Sequence, residues 1–144
     1  MLRNHAPQTG LEAKFSLEFA VASSLIAREV GLAQLTDGFV RRAEVQRTMQ
    51  KVTTSTVDTS CPVEPMFAFA DRVEIKLRNG RTIDSGDIRF ARGNAKLPLT
   101  AEELERKFMD CVSGARDVDA QQTYRQLAEL DSMSDVRTLT ASHR

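Results

Sequence analysis

The sequence predicts a small α+β protein, and three observations lead to this fold class. Two segments have the capping-box spacing that opens a helix, TGLE at residues 9–12 and TAEE at residues 100–103. Between them, residues 71–88 alternate apolar and charged side chains on either side of Asn79 and Gly80. Alternation around such a pair predicts a β-hairpin with a type I′ turn, one dry face and one wet face. We therefore expect helices on both sides of a small, antiparallel-containing sheet.

The first predicted helix runs from Thr9 to about Arg28 or Glu29 as one continuous helix. Its apolar residues recur at helical spacing on two faces. One stripe comprises Phe15, Phe19, Ala22 and Ile26, and the other comprises Leu17, Val21 and Leu25. Two stripes predict that the helix is buried on more than one side.

The remaining elements are expected in the order helix, strand, hairpin, helix, helix. The β-branched run VTTSTVD at residues 52–58 predicts a strand. With the hairpin at about 72–89, it would give a sheet of about three strands, which needs helices packed on it to be stable. Those helices are predicted within residues 31–52, from Thr100 onward, and over about residues 120–130.

Charge and composition argue against several classes of function. The 144 residues carry 20 basic and 20 acidic side chains, a balance that disfavours nucleic acid or an anionic membrane as a partner. We see neither an apolar run long enough to span a bilayer nor a secretory signal, so a cytoplasmic location is expected. Cys61 and Cys111 lack metal-binding spacing and are expected to be reduced thiols.

Candidate binding residues cluster around the start of the first helix. Glu12 and Ser16 are four residues apart and are predicted to share a face, whereas Lys14 should point elsewhere. A helix start favours an anion such as a carboxylate, and His5 and Arg3 could add a proton donor and a positive charge. The simpler alternative is that Glu12 completes the capping box, Lys14 is solvated and Ser16 bonds back to the helix.

Neither a catalytic triad nor a metal site is predicted. His143 lies in a tail that is expected to fray, so a single useful histidine leaves no Ser/His/Asp set. The carboxylates are not grouped for a metal ion.

Several ordered motifs resemble the C-terminal part of the MmgE/PrpD family, which includes 2-methylcitrate dehydratases, cis-aconitate decarboxylases and iminodisuccinate epimerases. They extend from about Pro7 to about Leu139 and are PQTGLEAKFSLEFAVASSLIA, GLAQLTDGFV, EVQRTMQKV, VEIKLRNGR and KLPLTAEELERKF. The most specific are GLEAKFS and the strand–NG–strand segment followed by PLTAEELERKF.

The resemblance implies that this chain is part of a larger lyase or epimerase. Members of the family have a large helical domain and a smaller α+β lid domain. Residues 1–98 would be the later part of the lid, and residues 99–144 would be helices that return to the helical domain. The resemblance also implies a small di- or tricarboxylate substrate, removal of a proton beside a carboxylate, and no metal or organic cofactor.

Most acid/base residues of the family lie in the helical domain, so this chain alone is expected to be inactive. A lid tyrosine of the decarboxylase branch would fall at or before Met1, and Tyr124 is not its match. No catalytic residue is therefore assigned. The candidates for substrate binding are Arg3, His5, Glu12, Lys14 and Ser16.

Two other interpretations stay open. The chain could be a stand-alone remnant or a self-associating module without catalysis, which folds alone or buries the exposed faces of helix 11–28 and of the final helices against another copy. It could also be an unrelated α+β binding module, which packing of the final helices on the hairpin as a closed two-layer domain would favour.

Overall fold

The computed structural model describes residues 4–57 and 59–141, and the chain divides into two compact units, one within residues 1–57 and the other within residues 58–144. The described part of the first unit contains α1 (Gly10–Ala13), α2 (Leu17–Ala27), α3 (Asp37–Val40) and α4 (Ala43–Met49). The second contains β1 (Glu74–Lys76), β2 (Thr82–Asp84), α5 (Ala101–Val112), α6 (Ala120–Ala128), a 3-10 turn (Leu130–Ser132) and α7 (Thr138–Ala141). The predicted α+β class is confirmed. The predicted division at residue 98 rests on the plan of the whole family and stays a prediction.

The first predicted helix is broken in two, so the prediction of one continuous helix from residue 9 is wrong. Thr9 opens α1 with the expected capping box, in which its hydroxyl and the Glu12 carboxylate each accept a backbone N–H. The chain then turns, and Ser16, with an extended backbone at φ −124°, opens α2 by accepting a hydrogen bond from the Phe19 N–H. Because a serine hydroxyl can satisfy helical N–H groups itself, it favours a helix start over a helix interior.

The core of the first unit buries one face of α2 against α3 and α4. Phe19 is fully buried and meets Phe39 edge to face, with 6.2 Å between the ring centroids. The second predicted stripe of α2 stays open, since Leu17 is 62% and Leu25 51% exposed. In the other stripe Phe19 and Ala22 are buried, whereas Phe15 is 47% exposed, so the described residues bury that stripe only in part. The buried apolar residues are Ala13, Phe19, Ala22, Phe39, Val40, Val45 and Met49.

Residues 52–57 form irregular chain after α4, so the strand predicted at residues 52–58 is wrong over its described part; Asp58 lies outside the described residues. β-Branched residues favour a strand only where a sheet edge is available to pair with. Here Thr54 instead lies beside the first turn of α2, with its hydroxyl 3.4 Å from Glu18 Oε1. The described residues consequently form a sheet of two strands, and not of about three.

The predicted hairpin is confirmed, but its turn differs from the expected type. β1 and β2 pair antiparallel with Ile75 opposite Ile83. Gly80 has a φ of 83°, whereas Asn79 does not have a positive φ, so the type I′ turn is not formed. A single left-handed glycine is typical of the three-residue hairpin loop that ends in a bulge.

The second unit leaves its apolar side chains accessible. The rings of Phe108 on α5 and Tyr124 on α6 lie 5.5 Å apart, and α5 begins with the predicted capping box. Nevertheless, none of the described residues from 59 to 139 is buried. Met66 is 95% and Leu104 52% exposed. Apolar surface of this extent is typical of an interaction site.

Two further expectations can be compared with the structure. Both cysteines are free thiols, as expected. Within the part of the chain that the structure describes, every helix is too short or too polar to cross a bilayer.

Candidate functional site

A cleft of about 340 Å³ lies at the start of α2. Three stretches of the first unit form it: the N-terminal segment, the junction of α1 with α2, and the chain that follows α4. The lining residues are His5, Lys14, Phe15, Ser16, Leu17, Glu18, Ala20, Thr54, Ser55 and Thr56. A more open hollow along α4 contains none of the candidate residues.

The N-terminal segment is fixed to the first unit on both sides of His5. On one side, the backbone N–H of Asn4 donates to the Phe15 carbonyl oxygen at 3.1 Å. On the other, Pro7 is fully buried, and Gln46 Nε2 donates to its carbonyl oxygen at 3.0 Å and to a carbonyl oxygen of α3 at 2.9 Å. These contacts fix the backbone on both sides of His5, whose side chain lines the cleft.

Glu18 is the buried polar group of the cleft. Its side chain is 7% exposed, and its Oε1 lies 2.6 Å from His5 Nδ1. Two longer contacts of 3.4 Å complete its surroundings, one from the Thr54 hydroxyl to Oε1 and one from the Ser16 hydroxyl to Oε2. A carboxylate buried to this extent needs such partners to offset the loss of water.

The pKa of Glu18 reflects opposing effects. Burial is the largest single effect and acts to raise the pKa of Glu18. Hydrogen bonds from His5, from its own backbone N–H and from Thr54, together with attraction to His5, act against burial and leave the pKa below its usual value. The side chain is therefore an ionised carboxylate at neutral pH, with acceptor oxygens only.

The structure brings three of the five candidate residues together. His5, Lys14 and Ser16 line the cleft, whereas Arg3 lies outside the described residues. The prediction that Glu12 shares a face with Ser16, and that Lys14 points elsewhere, is wrong. The reason is the break between α1 and α2, which removes the continuous helical spacing on which that prediction depended.

Glu12 does not line the cleft and acts in capping. Its carboxylate accepts the backbone N–H of Gln8 at 2.7 Å and that of Thr9 at 3.1 Å. These hydrogen bonds, the one from Gln8 foremost, lower the pKa of Glu12. Ser16 is likewise engaged, because its hydroxyl oxygen caps α2 and its proton is directed at Glu18.

Lys14 supplies the positive charge of the cleft. None of the salt bridges among the described residues involves its ammonium group. The start of α2, by contrast, already has the negative charge of Glu18 in its first turn. A carboxylate entering the cleft would therefore be attracted by Lys14 more than by the helix end.

Glu18 and Thr54 are the cleft residues that sequence reasoning missed. Glu18 is the single charged residue within Leu17–Ala27, and it directly precedes the buried Phe19. A lone carboxylate next to the buried stripe of an apolar helix is a signal that could have indicated a functional group. Thr54 carried no such signal, because its contact depends on the path of the chain after α4.

We expect the first unit to lose stability as the pH falls, partly through Glu18. Because its pKa is lower in the fold than in the unfolded chain, the ionised form stabilises the fold above the unfolded pKa. This contribution is lost as the pH falls through the folded pKa. Glu18→Gln cannot titrate, so the protection of its α2 and α4 amides against hydrogen exchange should decline less than in the wild type between about pH 5 and pH 3.

The matched control for this experiment is Glu44→Gln, on the exposed surface of α4. We expect its pH profile to follow that of the wild type. Equal slopes for Glu18→Gln and the wild type would contradict a role for the Glu18 carboxylate in acid sensitivity.

The structure defines a small α+β protein whose first unit has a cleft lined by a buried carboxylate, and a family comparison then places it. The MmgE/PrpD C-terminal domain matches residues 1–132. The chain therefore belongs to the MmgE/PrpD family, of which it carries the C-terminal domain, and the predicted family is confirmed. Among curated protein sequences, none matches the chain.

Proposed function

We propose that this chain is the lid portion of an MmgE/PrpD-like lyase or epimerase that acts on a small di- or tricarboxylate. The observation that carries the proposal is the cleft at the start of α2, which Lys14 and His5 both line and in which His5 contacts the buried Glu18. Membership of the family supports it, because the family's enzymes act on such substrates by removing a proton beside a carboxylate, without a cofactor.

The cleft contains groups that could stabilise charge and return a proton, but it lacks a base that could take the first proton. Removing a proton beside a carboxylate places negative charge on the carboxylate oxygens, and a nearby cation such as Lys14 stabilises that charge. His5 can return a proton to the intermediate. The base that takes the first proton would come from the helical domain, since Glu18 and Ser16 are already engaged. The chain alone is therefore expected to be inactive.

The exposed apolar surface of the second unit also supports the proposal. None of the described residues from 59 to 139 is buried, although this segment includes aromatic and large aliphatic side chains. In the proposed enzyme, the helical domain is the partner that covers this surface.

The first test isolates the native product from its own cells with an antibody raised against this chain. A mass well above 16.0 kDa would support a longer enzyme. That product is then incubated in deuterium oxide with 2-methylcitrate, cis-aconitate or iminodisuccinate. We expect it to incorporate deuterium at the carbon beside a carboxylate, and the 144-residue chain alone to incorporate none. A product that is longer than this chain but inactive on all three compounds would overturn the proposal.

We expect Lys14→Gln in that native enzyme to lower kcat/KM about 10- to 100-fold, with a lower kcat as well as a higher KM. The reason is loss of the charged group that would bind the substrate carboxylate and stabilise the negative charge that develops on it. Lys51→Gln, at an exposed position just after α4, is the matched control and should leave kcat/KM unchanged. Equal effects of the two substitutions would contradict carboxylate binding by Lys14.

A second candidate function is a self-associating module without catalysis, and the open stripe of α2 favours it. Leu17 and Leu25 are both more than half exposed and lie on one face. In this alternative a second copy of the chain covers that face. Light scattering of the purified chain tests it: a stable monomer that binds no apolar dye would contradict self-association.

A further inference from the structure

We infer that Glu18 is a positioning residue, which holds the His5 imidazole in the tautomer with its proton on Nδ1. The Glu18 Oε1 and His5 Nδ1 atoms are 2.6 Å apart. An ionised carboxylate can only accept a hydrogen bond, so the nitrogen facing it must carry a proton. In neutral His5, Nε2 is then the nitrogen without a proton.

Both members of the pair are held in place by other contacts. Glu18 lies in the first turn of α2, is 6% exposed overall, and has the Ser16 and Thr54 hydroxyls beside its oxygens. His5 lies between the Asn4 backbone, which is hydrogen-bonded to Phe15 just before α2, and the buried Pro7. A fixed carboxylate next to a fixed imidazole is the arrangement that selects one tautomer and one ring orientation.

The arrangement leaves Nε2 for the cleft. His5 lines the cleft with its side chain 63% exposed, and no hydrogen bond to Nε2 occurs among the residues that the structure describes. When the imidazolium gives a proton, the Nε2–H bond breaks and its electron pair stays on Nε2. The proton goes to the substrate atom that has gained negative charge, while Nδ1–H stays bonded to Glu18. This transfer rests on the proposed function, whereas the fixed tautomer does not.

The tautomer is tested by NMR on the full chain, labelled with ¹⁵N-histidine and carrying His143→Gln so that His5 gives the one imidazole signal. Long-range ¹H–¹⁵N correlations at about pH 8.5, where an ordinary imidazole is neutral, identify the protonated nitrogen. We expect Nδ1–H in this parent chain. Glu18→Ala, which removes both acceptor oxygens, should shift the population toward Nε2–H, the tautomer that a histidine side chain prefers in water.

Thr54→Val is the control, because it removes another contact of Glu18 and leaves the carboxylate in place. It should retain the Nδ1–H tautomer. The inference is overturned if the parent chain shows Nε2–H, a result that requires no substitution in the first unit. It is also overturned if folded Glu18→Ala keeps Nδ1–H, or if Thr54→Val shifts the tautomer as far as Glu18→Ala does.

Activity separates this inference from the proposed function. In the native enzyme, His5→Gln and Glu18→Gln should each lower deuterium incorporation about 100-fold, and the double variant should be no worse than either. Additive losses would mean that Glu18 does not act through His5. A native product without any activity would contradict the proposed function but would not affect the tautomer result.

Discussion

Replacing Phe19 by alanine is expected to lower the free energy of unfolding of the first unit by about 4 kcal/mol. The side chain is fully buried, and its ring meets that of Phe39 at 6.2 Å. The buried core of this unit is small, so its few neighbours cannot close the cavity that the substitution leaves. Native-state hydrogen exchange of the α2 and α4 amides measures the loss within this unit. Global unfolding would mix the two units.

Leu17→Ala is the matched control for Phe19→Ala, because it truncates a large apolar residue of the same helix. Leu17 is 62% exposed, so we expect its loss to change the free energy of unfolding by no more than about 0.5 kcal/mol. Similar losses for the two variants would show that the open stripe of α2 is covered in solution, as self-association requires.

Replacing Phe19 by alanine would also affect the cleft. The backbone N–H of Phe19 is the group that Ser16 caps, at 3.1 Å, and Glu18 directly precedes Phe19. A cavity at position 19 would therefore loosen the turn that holds the Glu18 carboxylate. The rigidity of the cleft depends on packing on the other side of α2.

Features that depend on local interactions could be predicted from the sequence. Both capping boxes form as predicted because each involves four successive residues. The hairpin is predicted by alternation and Gly80, although the exact turn depends on how the strands pair. The strand predicted at residues 52–58 fails for the opposite reason: strand formation needs a pairing partner, which the local sequence does not reveal.

The cleft could be predicted only in part, because sequence proximity finds neighbours but not burial. Position near the helix start was enough to select His5, Lys14 and Ser16. The role of Glu18 depends on its burial and on a contact with Thr54, which is 36 residues away. Helical and strand spacing relate residues that are close in the sequence, so they cannot predict this contact.

Replacing Gly10 by alanine is expected to lower the free energy of unfolding of the first unit by about 3 kcal/mol. A Cβ at this position would lie 2.1 Å from the Leu35 carbonyl oxygen, so the backbone of one segment must move. That movement would also disturb the 2.9 Å hydrogen bond from the Gly10 N–H to Asp37 Oδ1, which ties α1 to α3.

Gly38→Ala in α3 is the control, since no atom lies within 4 Å of its added Cβ. It should change stability by at most about 1 kcal/mol, in the stabilising direction. Hydrogen exchange of the α2 and α4 amides compares the two variants, and equal protection would contradict close packing of α1 against the segment before α3.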